Sequence, residues 1–212
     1  MLVQTQEAHP LFSIFYSPRR TMRRVLDNDP TYLVLPLIAL NGIAKSLDNA
    51  VSRDLGTRYP LVVILLGCLL GGLIGGFIAS YILGFLLTKI GQALGGTGTQ
   101  GELRAAFAWS AVPTIAGLLV WPILLATLGG NTFAPIDNDL AYNPVAAFVT
   151  LGVAAVTLAL GLWSIVLNVA CVAEAHQFSA LRSVGTWLMT IVVFTVPLIV
   201  LALAIGLAAG LA

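Results

Sequence analysis

Four arginines, Arg19, Arg20, Arg23 and Arg24, lie within six consecutive positions of the segment "SPRRTMRRVL" (17–26), although the chain has only ten Lys and Arg residues in total. Each arginine near an anionic membrane surface contributes about 1 kcal/mol of attraction. This chemistry is electrostatic, and it suits the binding of anionic lipid headgroups or the docking of a partner. A signal that only sets membrane topology is the alternative interpretation.

The arginine segment has the pattern of a surface helix. Ser17 followed by Pro18 is a favoured helix start. On a helical wheel the four arginines cover an arc of about 140°, and the opposite arc carries Met22, Val25 and Leu26. We therefore expect a short amphipathic helix that lies flat on the membrane, preceded by aromatic and aliphatic anchors in "LFSIFY" (11–16).

Other reactive side chains do not form a catalytic pattern. Cys171 and Glu174 share a helix face, but His176 is turned away from both, so we expect no metal site. Cys68 and Cys171 lie in apolar runs, which does not indicate a disulfide or redox site. The sequence lacks a nucleophile with a base, an HExxH motif and a phosphate-binding loop. We therefore predict neither an enzyme nor a cofactor.

The composition is that of a polytopic membrane protein. Of 212 residues, 58% are hydrophobic and 9% charged, and the mean hydropathy is +0.97. A net charge of +1 does not favour nucleic acid as a partner. The N-terminal residues lack the pattern of a cleaved signal peptide, and we expect none.

Five hydrophobic segments predict an all-α bundle of five transmembrane helices, preceded by the short interfacial helix. The first, 30 to about 51, is weaker because Asn41, Lys45 and Asp48 interrupt it; the other four are 60–89, 103–128, 144–173 and 187–211. We divide the chain into a cytoplasmic segment, 1–29, and a transmembrane domain, 30–212.

Local signals mark the connections between these segments. Thr99 and Glu102 match a capping box at the start of the third span, after a glycine-rich turn. A polar loop, 129–144, follows that span. Three prolines are expected to bend their helices: Pro113, Pro122 and Pro197.

Basic residues next to the spans predict the orientation. With the N-terminus inside, seven of the ten bases are cytoplasmic, and three, Lys45, Arg53 and Arg58, are outside. This bias places the N-terminus in the cytoplasm and, with five spans, the C-terminus outside.

The second span contains two ridges of small residues with a period of four, a glycine-zipper pattern. One ridge is Gly67, Gly71, Gly75 and Ala79, and the other is Gly72, Gly76, Ser80 and Gly84. Such ridges let helix backbones approach closely. The second span is therefore predicted to be the central packing helix, within the bundle or between copies of the chain.

Polar side chains also occur inside predicted spans. Asn41, Lys45, Asp48 and Ser52 form one stripe, in which Lys45 and Asp48 can pair. The stripe is either a solvated helix end or the lining of a polar cavity. In the fourth span Ser164 and Asn168 share a face and favour helix–helix hydrogen bonds, and Glu174 lies at its cytoplasmic end.

Three segments together resemble the Yip family of Ypt/Rab-interacting membrane proteins, in its short prokaryotic branch. They are "SPRRTMRRVL", "GGTGTQGELRAAFAWSAVP" and "LWSIVLNVACVAEAHQFSALRS". The resemblance implies a five-span protein of the bacterial inner membrane. Eukaryotic members are associated with vesicle traffic, GTPase binding and membrane shaping. This chain lacks their long cytosolic N-terminal segment, so we do not expect GTPase binding to carry over.

Two functions remain open. A structural or interaction protein, which organises membrane or docks partners, fits the short loops, the arginine helix and the glycine ridges. Its expected partners are anionic lipids, a second copy of the chain or an unidentified protein. A permease for small solutes or ions fits the proline bends and the buried polar groups, but the spans contain few acidic residues.

Overall fold

The computed structural model describes residues 9–135 and 143–210, and within these ranges the chain is helical and has no strands. Parts of the predicted loop 129–144 and of the last predicted span lie outside the described residues. The described part of the chain contains these α-helices: α1 (Pro10–Ser13), α2 (Pro18–Asn28), α3 (Val34–Ser52), α4 (Leu61–Ala93), α5 (Gln100–Ser110), α6 (Val112–Ala116), α7 (Trp121–Leu128), α8 (Pro144–Ala175) and α9 (Ala180–Gly210).

Within the described residues, four stretches are long and apolar enough to cross a membrane: Leu61–Ala93, Gln100–Phe133, Pro144–Ala175 and Ala180–Leu207. They correspond to the four stronger segments of the sequence. Helix α3 is not among them, since Asn41, Lys45 and Asp48 reduce the apolar content of its 19 residues. The structure therefore supports an integral membrane protein with four candidate spans.

Helices α3 and α4 run antiparallel in close contact. An added Cβ on Gly42 of α3 would overlap the carbonyl oxygen of Gly72 in α4. One further turn along, the Cys68 thiol lies 3.5 Å from the Ser46 carbonyl oxygen, to which it donates. The pairing continues to Ala50 and Ile64, which belong to one buried apolar cluster. Helix α3 therefore packs against the segment of α4 between Ile64 and Gly76.

The third predicted span is interrupted. Thr99 forms the predicted capping box with Glu102: the Thr99 amide donates to the Glu102 carboxylate at 2.7 Å, and the Glu102 amide donates to the Thr99 hydroxyl. The helix then breaks after Ser110, because Pro113 lies in the first turn of α6. A 3-10 turn, Gly117–Val120, precedes α7, which has Pro122 in its first turn. Helix α9, in contrast, continues through Pro197.

The bundle has two distinct ends. At one end α2 contacts α5 and α8, near the last turns of α4 and α8; we call this the α2 end. At the opposite end the 3-10 turns Leu55–Thr57 and Gly129–Phe133 contact each other. Between the ends α5 is almost enclosed: Leu103, Ala105, Ala106, Ala108 and Trp109 have no exposed surface.

Candidate functional site

Helix α2 is held on the end of the bundle by its less polar side. Thr21, Met22 and Val25 are buried, and the Thr21 hydroxyl donates to the Ser13 hydroxyl at 2.8 Å. The helix begins at Pro18 as predicted, but the Ser17 side chain makes no capping hydrogen bond. The side of the helix that was expected to contact the membrane therefore contacts protein.

The arginines of α2 lie on the other side. Arg19, Arg20 and Arg23 are exposed and Arg24 is partly buried. Together with Asp27, Asn28 and Glu174 they line an open concavity of about 540 Å³. The four predicted surface residues are therefore brought together, and one predicted intramembrane residue, Glu174, joins them.

Arg23 forms an ion pair with Glu174. Both its Nε and a terminal nitrogen donate to the Oε1 atom of Glu174. Glu174 lies in the last turn of α8, and its side chain is 13% exposed, against 44% for Arg23. The pair therefore links α2 to the end of a candidate span, and it places a carboxylate among the arginines.

His176 is buried between three segments at the α2 end. Its side chain fills space left open by Gly91 of α4 and Gly96 of the α4–α5 connection, where an added Cβ would overlap its ring. The Gly98 amide donates to Nδ1 at 3.2 Å, and Nε2 lies 3.1 Å from the Leu87 carbonyl oxygen. Because an amide can only donate, Nδ1 is unprotonated and Nε2 carries the proton.

This environment disfavours the charged ring of His176. Burial lowers the pKa of His176, and the hydrogen bond to Leu87 and the Glu102 carboxylate oppose this effect only in part. In addition, the Thr97 amide donates to the His176 carbonyl oxygen at 3.2 Å. His176 is therefore a structural clamp between α8 and the α4–α5 connection.

The two glycine ridges of α4 have different surroundings. Gly72 and Gly76 contact the α3 backbone around Gly42, where added Cβ atoms would overlap it. Farther along this ridge Ser80 is buried, and a Cβ on Gly84 would overlap the Arg104 side chain. Around Gly67, Gly71 and Gly75, in contrast, an added Cβ would meet no atom of the described residues within 4 Å. One ridge therefore faces the bundle, and the other is open.

The polar stripe of α3 is divided between two environments. Asn41 is buried, whereas Lys45 and Asp48 are exposed and form the predicted pair at 3.5 Å. Asp48 and Ser52 also line a cavity of about 600 Å³ near the opposite end, together with residues of α7 and α8 that include Trp121, Thr150 and Thr157.

Ser164 connects α8 to the break between α5 and α6. Its hydroxyl donates to the Ser110 carbonyl oxygen at 3.0 Å and lies 2.9 Å from the Thr114 hydroxyl. Since Ser164 has only one proton to donate, Thr114 donates to Ser164. Asn168, on the same helix, is not part of this network, and its Oδ1 is buried without a hydrogen-bond partner among the described residues.

Sequence reasoning missed several residues of this site. Gly42 was not recognised as the partner of the α4 ridge, although it is a glycine in a predicted span. The clamp of His176 with Gly91, Gly96 and Gly98 was also missed. In the sequence, its signal is the cluster of glycines at and after the end of α4.

These features define the class of the protein: it is an α-helical integral membrane protein, with a basic helix docked on one end of its bundle. A family model, the Yip1 domain, matches residues 12–209, so the chain belongs to the Yip1 family. This confirms the resemblance seen in the sequence. Neither a curated protein nor a solved structure matches the chain significantly. Family membership indicates a non-catalytic role at a membrane.

Proposed function

We propose that this protein organises the membrane at one of its faces by binding anionic phospholipid headgroups on the arginines of α2. The observation that carries the proposal is the docking of α2: with Thr21, Met22 and Val25 buried against the bundle, Arg19 and Arg20 point away from it. The concavity between the arginines is the surface on which a headgroup or an acidic segment of a partner docks.

Binding of this kind depends mainly on charge. The buried side of α2 is not available to insert between acyl chains, so attraction to headgroups rests on the guanidinium groups. An interaction between exposed charges weakens as salt screens it. Salt dependence therefore distinguishes this mode from the apolar insertion of an amphipathic helix.

The test compares two pairs of substitutions that remove equal charge. Arg19→Gln with Arg20→Gln is expected to weaken binding to phosphatidylglycerol nanodiscs by about 2 kcal/mol, or about thirtyfold, at low salt. Arg53→Gln with Arg58→Gln, two exposed positions outside α2, is the control and is expected to have little effect. Equal binding by the α2 variant and the parent at low salt would refute the proposal.

We further propose that α3 is a fifth span, with the N-terminus in the cytoplasm of a bacterium and the C-terminus outside. Helix α3 lies along α4 from Ile64 to Gly76, within the segment of α4 that is apolar enough to cross the membrane. Its 19 residues extend for about 28 Å, close to the thickness of the hydrocarbon layer. The Lys45–Asp48 pair lessens the cost of its charges.

Cysteine labelling in intact cells tests this topology. In a variant without Cys68 and Cys171, a cysteine at Asp27 is expected to be protected from a membrane-impermeant maleimide, and a cysteine at Arg58 to react. Permeabilised cells, in which both should react, provide the control. Reaction of both sites, or of neither, in intact cells would contradict a crossing by α3.

A permease is the second candidate, and the 600 Å³ cavity favours it. Its lining comes from the last turns of α3, from α7 and the turn after it, and from the first half of α8, so it occupies only the opposite half of the bundle. Closer to the α2 end, the interior is filled by Trp109 and Leu167, both fully buried. Solute flux in proteoliposomes that is abolished by Thr150→Leu would support this function.

A further inference from the structure

A cluster of two cations and two aromatic rings lies on an exposed face of α4 that Arg104 of α5 reaches, and it includes none of the arginines of α2. The guanidinium carbon of Arg104 is 3.8 Å from the centroid of the Tyr81 ring, and the Lys89 nitrogen is 5.9 Å from that of Phe85. Tyr81, Phe85 and Lys89 follow each other at intervals of four residues, so they share one face of α4. We propose that this cluster binds the phosphate of an anionic phospholipid.

The position of Arg104 is unusual for a packing residue. It belongs to α5, but its side chain crosses α4 at Gly84, where an added Cβ would overlap its Cγ atom. Gly84 therefore provides the space through which the arginine reaches Tyr81. The small-residue ridge of α4 therefore ends at Gly84, where the Arg104 side chain crosses the helix.

The Arg104 guanidinium group is also incompletely satisfied. Its Nε is buried and has no hydrogen-bond partner in the described part of the chain. Neither Arg104 nor Lys89 forms a salt bridge with a carboxylate among the described residues. Both cations contact aromatic rings and lack an anion within the described chain. Together they form a receptor for an external anion. Arginine binds phosphate oxygens with paired N–H donors.

A lipid is the expected source of this anion. Tyr81 and Phe85 are about half exposed, and they lie on a helix that is long and apolar enough to cross the membrane. Aromatic residues with nearby Lys or Arg are typical of the headgroup level of a bilayer. The phosphate would contact Arg104 and Lys89, while the acyl chains would lie along the exposed apolar face of α4, which includes Ile74 and Ile78.

The experiment uses the full chain in detergent, with phosphatidylglycerol binding measured by native mass spectrometry. Arg104→Gln and Lys89→Gln are each expected to weaken binding about fivefold. Gly84→Ala keeps both charges but displaces Arg104, so it should weaken binding as Arg104→Gln does. Arg58→Gln is the control for the loss of a charge and should leave binding unchanged.

Three further measurements decide the interpretation. Thermal unfolding of each variant establishes that it is folded. The nearest backbone atom to a Cβ on Gly84 is the Gln100 carbonyl oxygen, at 3.6 Å, so only the Arg104 side chain has to move and Gly84→Ala should remain folded. Glycerophosphate in excess should not displace the lipid; displacement would mean that the site takes free phosphate, and the lipid assignment would be wrong. Unchanged lipid binding in both Arg104→Gln and Gly84→Ala would overturn the proposal. Arg19→Gln with Arg20→Gln should leave lipid binding at this site unchanged. A failure of this proposal can therefore be distinguished from a failure of the proposal for the α2 surface.

Discussion

Arg23 and Glu174 form an ion pair across 151 positions of the sequence. The pair joins the second helix of the chain to the last turn of α8, at the rim of the arginine concavity. Because the arginine is 44% exposed, solvent screens much of the attraction. The pair therefore orients α2 rather than supplying most of the energy that holds it.

Removing the Glu174 carboxylate is expected to loosen α2. Glu174→Gln should weaken docking by at most about 1 kcal/mol, since the pair is partly solvated. Labelling of Met22→Cys, a buried position, measures this in a background without Cys68 and Cys171: the reaction should accelerate about fivefold. Asp54→Asn, at the opposite end, is the control. An unchanged rate in Glu174→Gln would mean that the pair does not contribute.

The two ridges of α4 are expected to respond differently to the same substitution. Gly72→Leu or Gly76→Leu would force α3 away and should destabilise the protein by more than about 2 kcal/mol. Gly71→Leu or Gly75→Leu should have little effect on unfolding of the single chain, because the added atoms meet open space. Chemical denaturation in detergent compares them. Similar losses in both pairs would contradict the pairing of α3 with α4.

The open ridge also tests association between copies of the chain. If Gly67, Gly71 and Gly75 contact a second copy, Gly71→Leu should dissociate the oligomer while the chain remains folded. Light scattering of the detergent complex measures the mass. The same mass in parent and variant would restrict this ridge to contact with lipid.

The stability of the protein should decrease as pH falls below about 6.5, the ordinary pKa of histidine. The folded pKa of His176 is lowered, so between the folded and unfolded values the unfolded state binds more protons, and stability rises with pH. His176→Gln should reduce the difference in unfolding midpoint between pH 5 and pH 7.5, whereas His9→Gln should retain it. A pH response that is identical in parent and His176→Gln would assign the effect to other groups.

Loss of the Ser164 hydroxyl is expected to have a modest cost. Ser164→Ala removes the bonds to Ser110 and Thr114 and should destabilise the bundle by about 1 kcal/mol. Thr195→Ala is the matched control, because its hydroxyl bonds only to a carbonyl of its own helix. Equal changes in the two variants, measured by denaturant unfolding, would contradict a role for Ser164 between helices.

Local features were predictable from the sequence, and contacts between distant segments were not. The Thr99–Glu102 capping box depends on two residues three positions apart, and it forms as predicted. The ridges of α4 were visible, but which ridge faces α3 depends on the rotation of α4 about its axis, and which of its residues meets Gly42 depends on the relative depth of the two helices. Gly42 and Gly72 meet because of that register, which no local pattern encodes.

The α2 end shows the same limit. Helical spacing predicted that His176 is turned away from Cys171 and Glu174, but it could not identify Leu87 and Gly98 as its partners, since they lie on another helix and in a connection. Likewise the buried side of α2 was recognised as less polar. Only the folded arrangement reveals that protein, and not lipid, covers it.

The docking of α2 also has a consequence for the order in which the protein is made. This helix leaves the ribosome before α8, because Glu174 follows Arg23 by 151 residues. At about 5 to 20 residues per second, the interval is about 8 to 30 s. During that time α8 is not present to cover Met22 and Val25. The apolar surface that is buried in the finished protein must therefore be covered in another way in the nascent chain.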